Sequence, residues 1–105
     1  MFLAAPKSTV ISWEMTPKEL VIKSLKGQVT LPWEVVSSAR LDERETEAEN
    51  ASLILKDVRG KETWLVLKWL APRHRYQVVQ ELALHVPKAM KPILDDSTYI
   101  EEIKE

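Results

Sequence analysis

The residue types that commonly carry out catalysis are few in this sequence, and they are not spaced for it. The chain has no cysteine, which excludes a thiolate nucleophile, a disulfide and a cysteine-based zinc site. Its two histidines, His74 and His85, would lie about 16 Å apart along a helix, too far to share one metal ion. Ser37 and Ser38 lack the flanking glycines of a nucleophile turn. We therefore predict no catalytic residue, no metal and no cofactor.

Basic side chains flank two predicted turns and begin a predicted helix, and these are the candidate anion-binding residues. They are Lys23, Lys26, Arg59, Lys61, Arg73 and Arg75. The free amides at a helix N-terminus also attract anions. Such a rim could bind the headgroups of an anionic membrane. Nucleic acid is disfavoured because the net charge is -1 and neither a basic stripe nor an aromatic stacking platform is evident.

Residues 64–70 are apolar on both faces of a predicted strand. Leu65, Leu67 and Trp69 would face one side, and Trp64, Val66 and Leu70 the other. A sheet in a small domain has one core side, so a helix, the tail or another chain must cover the second face. Because Trp is favoured at binding hot spots, we predict Trp64, Trp69 and Trp33 as partner-binding residues, although Trp33 could lie wholly in the core.

Alternation of apolar and polar residues predicts the strands that would carry these side chains. The expected strands are 10–15, 20–24, 29–33, 35–41, 51–56 and 62–69. Ile11, Trp13 and Met15 should share one buried face. Gly27 and Gly60 indicate hairpin turns. The acidic stretch 42–50 is expected to form an exposed loop, or a short surface helix.

A helix should follow the strands. Pro72 favours a helix start, and one apolar stripe recurs at helical spacing over Tyr76, Val79, Leu82, Ala83 and Val86. Pro87 should end or kink this helix, and a linker, if the chain has one, would lie around 87–92. Ser97 could cap a last short helix.

The order of strands followed by a helix, together with Thr30-Leu31-Pro32-Trp33-Glu34-Val35-Val36, resembles the bacterial pleckstrin-homology-like (PH-like) domains. In that family a turn glycine precedes an apolar-Pro-Trp-x-x-apolar step into the next strand, which residues 27–36 match. The hairpin at 57–61, the strand at 64–67 and the helix at 75–86 also fall where the family has them. The resemblance covers about residues 8–86. It implies two orthogonal antiparallel sheets closed by a helix and used for binding and self-association.

These observations predict a single PH-like domain over 1–105, with a core of about 8–86 and an extension over 87–105. The fold class would be α+β, an antiparallel barrel or sandwich of six to seven strands closed by one C-terminal amphipathic helix. The predicted function is a non-catalytic protein-interaction or self-association module, forming a homo-oligomer or binding another protein. Peripheral binding to anionic membrane lipid is the alternative. Since no stretch approaches the ~18 apolar residues of a membrane span, we expect a cytoplasmic protein, at most peripheral to a membrane.

Overall fold

Two three-stranded antiparallel sheets and three helices form the part of the chain that the computed structural model describes, residues 10–24, 27–42, 44, 51–67 and 70–104. The first sheet contains β1 (Val10–Met15), β2 (Glu19–Ser24) and β3 (Gly27–Pro32), and the second contains β4 (Val36–Leu41), β5 (Leu53–Asp57) and β6 (Glu62–Leu65). The helices are α1 (Pro72–His85), α2 (Pro87–Leu94) and α3 (Ser97–Lys104). The α+β class with antiparallel sheets is confirmed. Within the described residues the sheets do not close into one barrel, and the strands number six.

Local turn chemistry sets the hairpins of the first sheet. At the β1–β2 turn, the Thr16 hydroxyl accepts a hydrogen bond from the Glu19 amide at 3.0 Å. β2 and β3 meet at the pair Ser24↔Gly27, where Gly27 has a φ of 130° that a side chain would disfavour. β3 ends at Pro32, which has no amide to continue a ladder. One 3-10 turn, Trp33–Val35, then leads into β4.

The second sheet separates its side chains onto an inner and an outer face. Leu53 pairs with Leu41 and Leu65, and this row faces the core. The neighbouring row pairs Ile54 with Arg40 and with Trp64, and because successive side chains alternate, it faces outward. The β5–β6 hairpin turns at Gly60, whose φ is 86°. The register therefore places Trp64 on the outer face.

The helical tail corrects the prediction of one C-terminal helix. α2 occupies the segment to which the sequence assigns a linker, if the chain has one, and its Ala89, Met90 and Ile93 are buried. Pro87 is tolerated as the first helical residue because its missing amide would be unpaired there anyway. Pro92 lies inside α2. Because proline is unfavourable within a helix, the sequence did not predict a helix here. The chain after residue 86 thus belongs to the same core as the strands.

The strand predicted over 62–69 is shorter in the structure. β6 ends at Leu65, and the Leu70 amide donates to the Leu67 carbonyl at 2.9 Å. Leu65 and Leu67, which were predicted to share a face, are both buried, and Leu70, predicted on the opposite face, is buried as well. Trp69 lies outside the described residues. Of the first strand's predicted face, Trp13 is buried and Met15 is half-buried, and the side chain of residue 11 is outside the described set.

Tyr99 anchors α3 in the core. Its amide donates to the Asp96 carboxylate at 3.1 Å, so Asp96, one residue before the predicted Ser97, caps the helix. The ring is 2% exposed, and its hydroxyl has no hydrogen-bond partner within the described residues. Burial raises the pKa of Tyr99 to about 12, while the nearby Arg75 charge acts in the opposite direction.

No described helix is long and apolar enough to cross a membrane.

We expect Tyr99→Phe to leave the free energy of unfolding unchanged within about 1 kcal/mol, because an unpaired buried hydroxyl contributes little. Alkali should destabilise the wild type. The folded-state pKa exceeds the ordinary value of 10.0, so stability present below pH 10 is lost as the pH rises towards 12. Urea unfolding at pH 8 and pH 11 checks both points. A loss of several kcal/mol at pH 8, or identical alkaline loss in Tyr99→Phe and wild type, would contradict this account.

Candidate interaction surface

The outer face of the second sheet carries a large aromatic side chain that is partly exposed. Trp64 is 37% exposed. Ile54, its neighbour on β5, is fully buried although it faces away from the inner row. Arg40 lies beyond Ile54 on β4 and forms an ion pair of 2.6 Å with Glu62. Charged groups thus border the exposed part of Trp64, while Ile54 lies beneath the surface.

A second arginine lies over the indole. The guanidinium carbon of Arg44 is 5.0 Å from the centroid of the Trp64 ring, within the range of a cation–π contact. Arg44 is itself held by Asp42, since Nε and Nη2 donate to the two carboxylate oxygens at 3.1 and 3.2 Å. The Arg44 amide also donates to Asp42 Oδ1 at 3.1 Å. This arrangement positions the cation before any partner arrives.

We call this set of residues the Trp64 face. It comprises Trp64, Arg40, Glu62 and Arg44 with its anchor Asp42, and Trp64 lies next to the fully buried Ile54. An aromatic anchor bordered by polar and charged groups is the usual anatomy of a protein-binding hot spot. Sequence reasoning found Trp64 but missed Asp42 and Arg44, because both lie at the edge of the acidic stretch, where a charged residue has no distinguishing pattern.

The Asp42–Arg44 pair should respond to acid. The hydrogen bonds from Arg44 hold the pKa of Asp42 below its ordinary 3.8. A depressed pKa means that the stabilising contribution is complete above pH 4 and is lost as the pH falls through the folded-state value. NMR titration of the Asp42 carboxyl carbon should show this depression, and Arg44→Gln should return the midpoint towards 3.8. A wild-type midpoint at or above 3.8 would refute the pairing in solution.

Trp33, also predicted as a partner anchor, lies in the core. It is 7% exposed, and its indole nitrogen donates to the Thr16 carbonyl at 2.7 Å. Its ring stacks on His85 of α1, with centroids 4.5 Å apart and planes 4° from parallel. Sequence reasoning allowed the core position for Trp33 but could not foresee His85, because the two residues are far apart in the chain.

The two tryptophans should differ in their contribution to stability. Trp33→Ala removes a buried ring, its stacking and a hydrogen bond, and should cost about 3–5 kcal/mol of unfolding free energy. Trp64→Ala should cost about 1 kcal/mol, in the range of ordinary substitutions. Chemical denaturation of both variants measures this difference. Equal losses would show that Trp64 is a core residue in solution and would remove it from the candidate surface.

The basic candidates do not form one site. Lys23, Arg59, Lys61 and Arg73 are exposed, and Lys26 lies outside the described residues. Arg75 is buried, and its Nε donates to the Leu67 carbonyl at 3.1 Å. This hydrogen bond links α1 to the segment that follows β6. At the start of α1, the amides of residues 74 and 75 already bond the Ala71 carbonyl, which leaves less to attract an anion.

Arg59 and Lys61 share a cleft of about 180 Å³ between the β5–β6 hairpin and β3. Neither Lys23 nor Arg73 lines it. Across the described part of the chain, no three His, Asp or Glu side chains are grouped to hold a metal ion.

Comparison with known proteins identifies no relative: no family model, no curated protein and no solved structure matches this chain. The geometry of the molecule itself therefore carries the functional argument.

Proposed function

We propose that this protein is a non-catalytic interaction module whose protein partner, another protein or a second copy of the chain, binds the Trp64 face. The observation that carries the proposal is the exposed indole of Trp64 beneath a guanidinium that Asp42 holds in place. Burial of such a ring by a partner removes apolar surface from water, and Arg44 is already fixed, so less side-chain entropy is lost on binding.

The charged groups of the face would give it selectivity more than affinity. Arg40 and Glu62 neutralise each other and remain partly exposed, so a partner need not desolvate an unpaired charge there. Arg44 adds a positive charge over the Trp64 ring. A partner that places an apolar or aromatic side chain beside Trp64 and a carbonyl or carboxylate beside Arg44 fits this arrangement.

The PH-like assignment is part of the proposal. Two antiparallel sheets followed by a helix support it, and so does the position of Leu31-Pro32-Trp33, where the chain passes from the first sheet to the second. In PH-like domains this architecture presents binding surfaces, which agrees with a module that functions by binding a protein partner.

The direct test compares Trp64→Ala with Leu84→Ala, because Leu84 is 76% exposed on α1 and lies outside the Trp64 face. Light scattering should give the absolute mass, and affinity capture from the source cell should detect other partners. We expect Trp64→Ala to weaken the association at least tenfold, about 1.4 kcal/mol, while Leu84→Ala binds as wild type. A monomer without stoichiometric partners, or equal losses in both variants, would refute the proposal.

Peripheral binding to an anionic membrane is the competing candidate. Its specific support is Val58 at the β5–β6 turn, 69% exposed and followed by Arg59, with Lys61 and Lys23 also exposed. Such binding would weaken steeply with salt, whereas an apolar contact at Trp64 would change little. Co-sedimentation with phosphatidylserine vesicles at 50 and 300 mM salt separates the two candidates.

A further inference from the structure

β3 is an edge strand without the protection that edge strands usually have. Within the described residues it pairs with β2 alone. Its sequence, Gly27–Pro32, contains no charged side chain, and Val29 is 50% exposed. Natural edges are normally protected by lysines, bulges or covering elements, because an open edge invites another strand. Within the described residues, Pro32 at the end of the strand is the only feature that limits such pairing.

The backbone of this edge has donors and acceptors directed outward. Two residues separate Ser24 from Gly27, the last pair of this ladder, so the antiparallel ladder bonds this pair and every second pair after it. The bonded pairs include Val29 and Leu31, which leaves the amides and carbonyls of Gln28 and Thr30 pointing away from β2. No backbone hydrogen bond from elsewhere in the described chain reaches either amide. The edge can therefore accept a further strand.

The cleft beside this edge is suited to one side chain. Its walls include Val29 and Leu31 of β3 and Val58 of the hairpin. Its volume of about 180 Å³ is below the roughly 300–1,000 Å³ of small-molecule sites. Side chains of an added strand alternate between the two faces of a sheet, so one residue of such a strand could enter the cleft.

The charges around the cleft are mainly basic. Arg59 and Lys61 line it and are exposed. Asp57 also lines it, but its Oδ1 accepts the backbone amides of Arg59 and Lys61 at 2.8 and 3.0 Å. The carboxylate is thereby committed to the turn, whereas the two basic side chains extend into solvent. Charge complementarity favours an acidic ligand.

We propose that the free edge of β3 binds an extended acidic peptide as a fourth strand of the first sheet, with one apolar side chain in the cleft and carboxylates facing Arg59 and Lys61. Addition of a strand to a sheet edge obtains affinity from main-chain hydrogen bonds and specificity from alternate side chains. A lipid headgroup would use the basic residues but neither the outward amides nor the cleft, so a peptide is favoured. The site is separate from the Trp64 face and does not depend on it.

The test uses synthetic heptapeptides with Val, Leu, Ile or Phe at position 4, Glu at positions 2 and 6 on the same face of the extended strand and Thr elsewhere, with fluorescence anisotropy as the readout. The same peptides with Lys in place of Glu are the charge control. N-methylation of alternate residues blocks the backbone donors along one edge of the peptide, and N-methylation of the intervening residues is the matched control. We expect the acidic peptides to bind, with at least a tenfold loss for one methylation pattern and little change for the other.

Protein variants give an independent readout. Arg59→Glu with Lys61→Glu should weaken binding at least tenfold, whereas Arg73→Glu with Lys88→Glu, at exposed residues that do not line the cleft, should bind as wild type. In hydrogen exchange, the Gln28 and Thr30 amides should become protected by the peptide. No binding of any acidic peptide at 1 mM, equal loss with both methylation patterns, or vesicle binding that requires Arg59 and Lys61 without any peptide binding would overturn the proposal.

Discussion

The indole of Trp33 connects the first hairpin to helix α1, and the arrangement of the two sheets depends on this contact. Its ring nitrogen bonds the Thr16 carbonyl of the first hairpin, and its face stacks on His85 at the end of α1. Its own amide donates to the Lys18 carbonyl at 3.1 Å. Trp33 directly follows the last residue of β3, so it fixes where the chain leaves the first sheet. One side chain thus joins a hairpin, a sheet junction and a helix.

The second sheet is fixed through the same junction. The amide of Val58, at the β5–β6 turn, donates to the Val35 carbonyl at 2.9 Å, which positions that hairpin beside the segment after Trp33. The inner face of the sheet is then covered by the helices, with Met90 of α2 and Ile103 of α3 fully buried. Because the apolar helical surface is used on the inner side, Trp64 in the opposite row remains partly exposed, although Ile54 in the same row is fully buried.

The sequence indicated most elements correctly because their signals are local. Alternation along β1 and the helical stripe of α1 each depend on a few neighbouring residues, and Gly27 and Gly60 mark turns that require positive φ. α2 was missed because a sequence with Pro87 and Pro92 so close together does not predict a helix. In the folded protein, burial of Met90 against the rest of the core outweighs the free-energy cost of a proline inside the helix. Propensity alone cannot reveal such a tertiary contribution.

The sequence predicted Trp64 as a residue of the candidate surface, but it did not predict the residues around Trp64. Trp64 was identified because residues 64–70 contain more apolar side chains than one core face can use. The contact with Arg44 depends on a register between β4, β5 and β6 that periodicity does not specify, and the cleft beside β3 depends on how the two sheets meet. Both are long-range arrangements that a single sequence leaves open.

The central claim is that Trp64 lies against a protein partner in the cell. Photocrosslinking tests it most directly, with benzoylphenylalanine placed at position 64 and, as the matched control, at position 84. The account predicts one dominant crosslinked protein, or a crosslinked dimer, from position 64, and no comparable product from position 84. Crosslinking from position 84 alone, or from neither position, would contradict it.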